Sequence, residues 1–244
     1  MTCLALSAES LKQTAATVGP VLGIETGGSI VSLGVVNQGQ IAASFSRTLA
    51  SHCSGLPVAI DECLEGAGFT LRDLTAIAVG IGPGSFTGLR VGLSYGKGLA
   101  RALGIPITGV SSLDAIVMAA RIEPREGTVC PVIDARRGEV YAALYRFSGD
   151  ALKKKVNEFA ASAAELAGMI DGDVVFTGDP IQEEVQRLAA ARGCRAVAIG
   201  AAEMYLRGGA VAGIGAARIA TGLVANTATL EPLYVRPSGA VRAD

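Results

Sequence analysis

The sequence predicts an α/β protein of two lobes, each a mixed β-sheet with flanking helices. Three observations carry this. The 244 residues suffice for one large core or two smaller ones. The first half reads β-β-β-α-β-α-β-α, an order that needs a mixed sheet covered by helices. Parts of that order then recur: Ile133-Asp134-Ala135-Arg136-Arg137-Gly138-Glu139-Val140 can be laid on Ile24-Glu25-Thr26-Gly27-Gly28-Ser29-Ile30-Val31. Each has an acid at a strand end, a short polar turn and a returning strand. Val174 to Asp179 likewise resembles Val79 to Pro83, a buried strand ending in a glycine turn before a helix. Two copies of one strand-and-helix unit are the simplest account. The lobes are expected over 21–121 and 122–244, behind a disordered extension, 1–20.

That extension, Met1 to Pro20, has a short apolar piece from Cys3 to Ala8 and no basic residue before it, which does not fit a secretory leader. From Val21 three strands form an antiparallel meander: Val21 to Ile24, Ile30 to Val36, and a run reaching Phe45. Leu56, Ala59, Ile60, Cys63, Leu64 and Ala67 then fall at helical spacing. Pro57 suits the first turn of that helix, and Gly66 and Gly68 mark its end. Ala76 to Ile81 is a buried strand feeding the turn Gly82-Pro83-Gly84-Ser85, and a long helix follows from Phe86 to Leu103. A strand from Ile107 to Val110 leads into Ser111-Ser112-Leu113-Asp114, a helix N-cap. In the second half the strands are Val140 to Phe147 and Val174 to Asp179, with a helix over Ile181 to Ala191; Arg207-Gly208-Gly209 reads as a helix end.

Composition limits the chemistry. Half the residues are hydrophobic and 18 % are charged, which excludes disorder for the bulk of the chain. With 21 basic against 22 acidic residues, the chain lacks the basic excess that holds nucleic acid by counterion release. The five cysteines, Cys3, Cys53, Cys63, Cys130 and Cys194, contain no C-x-x-C pair; they argue against a disulfide framework or a thiolate metal site and suit a reducing cytoplasm. No apolar run approaches the ~18 residues of a membrane span. His52 is the only histidine, so a two-histidine metal site is impossible and any Ser-His-Asp set would have to be built around it. Its ordinary reading is a side chain near a helix start.

Two turns are candidate anion sites. The glycine turn over Glu25 to Ser29 joins two strands and reads either as a plain hairpin or as a phosphate cradle. Gly82-Pro83-Gly84-Ser85-Phe86-Thr87-Gly88 opens a helix whose first N–H groups suit an anion, although no Lys-Ser or Lys-Thr follows as in a P-loop. Glu25, Thr26, Gly82, Gly84, Ser85 and Asp134 are the cofactor candidates, and Glu25, Asp134 and Asp179 are the acids that would hold Mg²⁺ in a nucleotide-binding fold. Each of these acids also reads as a loop or helix cap. The helix after the second turn carries Gly88, Gly92 and Gly96 in one row. Each costs roughly 0.8–1 kcal/mol of helix propensity, so close backbone approach must compensate, either inside the chain or across an interface. Lys153-Lys154-Lys155 and Arg136-Arg137 read as solvated surface.

The stretch from Val79 to Leu113, with Gly-Pro-Gly-Ser-Phe-Thr-Gly-Leu-Arg followed by Gly-Val-Ser-Ser-Leu, closely resembles the signature of the TsaB (YeaZ) family. Further matches are Glu25-Thr26, His52 with Leu56-Pro57, Val132 to Tyr141, and Pro232-Leu233-Tyr234-Val235-Arg236. Together they cover most of the chain from Val21 to Arg236. The resemblance implies a two-lobe fold of the actin, hexokinase and Hsp70 type. It also implies a non-catalytic cytoplasmic subunit that pairs with the catalytic paralogue TsaD and, with the ATPase TsaE, supports threonylcarbamoyl transfer to the N6 of the tRNA adenosine 3′ of the anticodon. TsaD carries two metal-binding histidines four residues apart, and one histidine cannot supply them. This chain would need no cofactor or metal of its own, with an adenine nucleotide possible at the subunit junction, and would reach tRNA only through the complex. The resemblance places the partner interface at Leu56, Ile60, Cys63, Gly88, Gly92 and Gly96, self-complementary so that the isolated chain is a homodimer. Glu25 departs from the aspartate more usual there, and residues 1–20 lie outside the pattern. The competing readings are an ATP-using phosphotransferase of the same fold, for which the run from Gly178 to Asp244 is short, and a peptidase, for which no nucleophile, base and oxyanion set exists.

Overall fold

The computed structural model describes residues 8–48, 52–123, 126–178 and 206–235, together with 187, 190, 193 and 196–199. The chain runs α1 (Ala8–Ala15), β1 (Val21–Glu25), β2 (Val31–Asn37), β3 (Gln40–Arg47), α2 (His52–Ala67), β4 (Ala76–Gly82), α3 (Phe86–Leu103), β5 (Ile107–Ser111) and α4 (Ser112–Ala119). It continues with β6 (Thr128–Arg136), β7 (Glu139–Ser148), β8 (Ala151–Ser162), α5 (Ala163–Gly168), β9 (Val174–Gly178), β10 (Ala196–Ile199) and α6 (Arg207–Ala220). The helix expected over Ile181 to Ala191 lies mostly outside the described residues, as does Asp179.

The strands form two five-stranded sheets, ordered β3-β2-β1-β4-β5 and β10-β9-β6-β7-β8. In each, an antiparallel meander is extended by two parallel strands. Position for position the second sheet repeats the first, so the repeat read from Ile24–Val31 and Ile133–Val140 is a repeat of topology. Helices α2 and α3 cover the outer face of the first sheet, where Leu56, Ile60, Leu64 and Leu93 meet Leu22, Ile24, Leu33 and Ile77. Between the sheets lie α6 and α4, with Val211, Ile214, Leu113 and Ile116 packed against Val21, Ala78, Val129 and Tyr145. The outer face of the second sheet buries Phe176, Val132 and Leu144 with Leu166 of α5.

Two expectations about boundaries are corrected. Residues 8–15, placed in a disordered extension, form α1, whose Leu11 and Ala15 are buried against α6. The apolar i, i+4 pair gives this one-faced helix a reason to dock. The second correction concerns 206–235, assigned to the second lobe. Helix α6 packs on β1, β2 and β4 of the first sheet, and the chain after it stays there: Leu233 donates its N–H to the Ile81 carbonyl at 2.7 Å, and Lys97 Nζ donates to the Leu230 carbonyl at 3.1 Å. Arg207-Gly208-Gly209 opens α6 rather than ending a helix. Its buried residues run around the whole circumference, as expected of a helix enclosed between layers.

The glycines of α6 set its distance from the sheet. A Cβ on Gly208 would lie 2.3 Å from the Leu33 carbonyl carbon, and one on Gly34 would lie 2.4 Å from the Gly209 nitrogen. The helix therefore touches β2 backbone to backbone. The Gly208 N–H, one of the first-turn donors without an intrahelical partner, donates to Ser32 Oγ at 2.9 Å.

Candidate functional site

At the carboxyl ends of β1 and β4, the two glycine turns meet. Glu25 is buried, and its Oε1 accepts the Gly27 N–H at 2.7 Å. Its Oε2 accepts the Ser112 hydroxyl at 2.8 Å. Gly80 makes room for this carboxylate, since a Cβ there would lie 2.3 Å from Glu25 Oε2. Thr26 donates its hydroxyl to the Gly88 carbonyl at 2.8 Å. The second turn is pinned to the first by the Ser85 N–H, which donates to the Gly27 carbonyl at 2.7 Å. Gly84 permits that approach, because a Cβ on it would fall 2.5 Å from the same oxygen. Ser85 is also the N-cap of α3, accepting the Gly88 N–H at 3.3 Å, while Gly104 in the left-handed region (φ 68) ends the helix.

The structure thus brings five of the six cofactor candidates, Glu25, Thr26, Gly82, Gly84 and Ser85, to one place, where the Thr26 hydroxyl and the Ser85 N–H join the two turns. A phosphate cradle needs its N–H groups turned outward. Here the Gly27 and Ser85 N–H groups are both engaged within the chain. Asp134 sits at the corresponding turn of the second sheet, where Oδ1 accepts the Arg136 N–H at 2.7 Å and Oδ2 pairs with the Arg136 guanidinium at 3.3 Å. Among the described residues, no three His, Cys, Asp or Glu side chains gather as metal ligands, and no helix is long and apolar enough to cross a membrane.

The pattern of the family described as "TsaD: tRNA N6-adenosine threonylcarbamoyltransferase" matches residues 43–237. The "tRNA threonylcarbamoyladenosine biosynthesis protein TsaB" of Bacillus subtilis (strain 168) is 33 % identical over 162 residues, covering 65 % of this chain and 70 % of that protein. The Escherichia coli (strain K12) protein of the same description is 36 % identical over 126 residues, 52 % of this chain and 54 % of its own length. The solved structure "YeaZ from Pseudomonas aeruginosa" superposes with a TM-score of 0.69 at 26 % identity, covering 88 % of this chain and 99 % of that one. The chain belongs to the TsaB (YeaZ) family. Its two repeated sheets with flanking helices are the two-lobe fold of the actin, hexokinase and Hsp70 type.

In this TsaB-family chain the six residues expected at a partner interface face inward, which corrects that expectation. Leu56, Ile60 and Cys63 are buried under α2. The glycine row is matched inside the chain: Cβ atoms on Gly88 and Gly92 would each lie 2.1 Å from an oxygen of Thr26, and one on Gly96 would lie 2.5 Å from Val79 Cγ2. The close approach that offsets the poor helix propensity is therefore α3 on β1 and β4. Burial pushes the Cys63 thiol up to about 11 and the Cys130 thiol higher still. Both are expected to resist iodoacetamide in the native protein and to react at once in denaturant, as peptide mass spectrometry would check.

The outward side of the same two helices has a different character. On α2, Val58 is 57 % exposed beside Asp61, Glu62 and Glu65, and the helix carries no lysine or arginine. On α3 the charges are Arg90, Lys97 and Arg101, with no acid. Tyr95 of α3 is partly buried against the cluster that holds the apolar residues of α2, and burial with the Asp61 carboxylate pushes its phenol up. At the start of α3, Arg90 stacks on the exposed Phe86 ring at 3.8 Å and donates to the Tyr234 hydroxyl at 3.0 Å.

Sequence reasoning missed a second cluster. Lys154, read as solvated surface, is largely enclosed: its Nζ lies 2.9 Å from Asp114 Oδ1 and 2.5 Å from Glu158 Oε1. Burial alone would lower the Lys154 pKa, but the Asp114 and Glu158 carboxylates outweigh it and hold the ammonium above its ordinary value. Burial would likewise raise Glu158, but hydrogen bonds from Lys154 and Ser111, with the Lys154 charge, bring it below the ordinary carboxylate range. Both groups are charged throughout the neutral range. The available signal was the i, i+2 pair Leu152 and Lys154, which puts both on one face of a strand; beyond it β8 shifts register against β7, and Val156 packs on the outer face instead.

Proposed function

We propose that this chain is the non-catalytic subunit of a tRNA threonylcarbamoyladenosine-forming system, docking on a TsaD-type catalytic subunit and working with TsaE. The observation that supports the reading is the joined pair of turns, in which the Gly27 and Ser85 N–H groups, two of the candidate anion donors, are spent on Glu25 and on the Gly27 carbonyl. The lone histidine supports it, as does the membership of the family. Any adenine nucleotide belongs to the junction with the partner, and tRNA is reached through the complex. Docking uses the outward side of α2 and α3 around Val58 and Tyr95, adjacent to the inward-facing residues first expected there, and the same patch used twice would give a homodimer.

The test is co-expression with TsaD, followed by co-purification and by tRNA modification with and without this chain. Val58→Glu adds a fourth acid to the α2 face, and a desolvated unpaired charge at the centre of an interface is costly. Co-elution and modification are expected to fall by about tenfold or more, with the melting temperature of the isolated chain unchanged because Val58 is exposed. Normal pairing by this variant would move the interface elsewhere. Threonylcarbamoyl transfer or substrate phosphorylation by the isolated chain would overturn the non-catalytic reading.

A further inference from the structure

The buried cluster around Lys154 joins residues of both sheets. Ser111 ends β5 and Asp114 lies on α4, both attached to the first sheet; Tyr145 on β7 and Lys154 and Glu158 on β8 belong to the second. Three of its bonds cross between them, while Lys154–Glu158 lies within the second lobe and the Arg218 contacts lie within the first. Lys154 Nζ reaches Asp114 Oδ1 at 2.9 Å, the Ser111 hydroxyl donates to Glu158 Oε1 at 2.6 Å, and the Tyr145 hydroxyl donates to Asp114 Oδ1 at 2.7 Å. Arg218 of α6 closes the set, with its guanidinium 3.8 Å from Asp114 Oδ2 and a hydrogen bond to the Gly109 carbonyl. The side chains of Lys154, Asp114 and Glu158 are 12 %, 9 % and 11 % exposed. Two cations balance two anions.

We propose that this cluster is a latch that fixes the two lobes in a single relative orientation. An apolar interface tolerates sliding, because dispersion and burial are not directional. Buried charge-assisted hydrogen bonds do not: they weaken steeply with angle and distance, and separating one partner leaves an uncompensated buried charge. Five side chains from both lobes satisfy their geometry together at only one lobe angle. Two-lobe proteins commonly close by a hinge around a ligand; here protein side chains bridge the lobes at the carboxyl end of β5, next to Ser112 and the Glu25 turn. The latch stands independently of the proposed docking partner, since it concerns the chain alone.

The test measures the distance between spin labels at Arg72 in the first lobe and Asp150 in the second, both exposed, in the full chain by pulsed electron resonance. The wild type and the control Lys153→Met, which alters an exposed neighbour, are expected to give one narrow distribution. Lys154→Met keeps the stem and removes the ammonium; Lys154→Met/Glu158→Gln removes the ion pair without stranding Glu158, and serves if the single variant does not fold. Both are expected to broaden the distribution at least about twofold or to add a second distance. A broad or two-peaked wild type overturns the latch, as does a folded variant whose distribution is as narrow as the control's.

Discussion

Replacing Gly208 by alanine is expected to destabilise the protein by about 3 kcal/mol or more, a fall in melting temperature of roughly 6–12 °C for a chain of this size. Alanine normally gains about 0.8–1 kcal/mol over glycine inside a helix, so local propensity predicts the opposite sign. The contact decides otherwise. The new Cβ would stand 2.3 Å from the Leu33 carbonyl carbon and 2.5 Å from its Cα and nitrogen, all backbone of β2, the second strand of the first sheet. No rotamer change relieves a clash with backbone, so α6 must lift from the sheet along its length. Lifting would loosen Val211, Ala212 and Ile214, each almost fully buried. The control is Gly213→Ala on the same helix, where a Cβ meets nothing within 4 Å; it should be neutral or gain up to about 1 kcal/mol. Thermal melts of the two variants measure the contrast, and equal melts would mean that α6 does not rest on β2 at that distance.

This helix also marks where reading the chain ran out. Helix α3 was legible over its whole length, because Ser85 and Gly104 cap it and its apolar residues hold one face. Helix α6 has no such contrast. Apart from Arg207 and Arg218, its sequence is small and apolar on every side, so periodicity had little to report, and the pair Gly208-Gly209 imitated a terminus. The repeat was legible because acid, turn and returning strand recur in order. The return of 206–235 to the first lobe was not, since it depends on backbone-to-backbone fit between residues more than 170 positions apart, such as Gly208 with Ser32 and Leu33. The run of three lysines illustrates a related limit. Composition assigns it to solvent, and only the strand phase separates Lys154 from its two exposed neighbours.

The candidate site divides the same way. Glycine and serine spacing located the two turns, and the structure brings them together. Spacing did not say that their donors would bond to one another, because that depends on the Glu25 side chain folding back onto Gly27 and Ser112. Nor did it say which surface the glycine row faces. A missing side chain records that something comes close, without recording what.

Gly92→Leu should therefore fail as a folding variant and not as a binding variant. Its Cβ would sit 2.1 Å from Thr26 Oγ1 and 3.2 Å from Thr26 Cβ, and Thr26 is fully buried with its hydroxyl bound to the Gly88 carbonyl. Over-packing of a tight site typically costs about 1–3 kcal/mol and sometimes more, and a leucine here must also displace a buried hydrogen bond, a further ~1 kcal/mol. The melt is expected to fall far below wild type, while Gly98→Leu on the same helix, with nothing within 4 Å of its Cβ, should hold its melting temperature. A double-mutant cycle sharpens the assignment. Gly92→Ala costs stability through the Thr26 hydroxyl, and Thr26→Ala costs about 1 kcal/mol through the lost bond to Gly88. In combination the hydroxyl that clashes is already gone, and the remaining 3.2 Å contact with Cβ is one that a small shift accommodates. The pair should lose less than the sum of the singles, with a coupling of about 1 kcal/mol or more, as contacting residues show. Strict additivity, or a Gly92→Leu protein that melts like wild type yet no longer pairs with TsaD, would put the glycine row back on the partner surface.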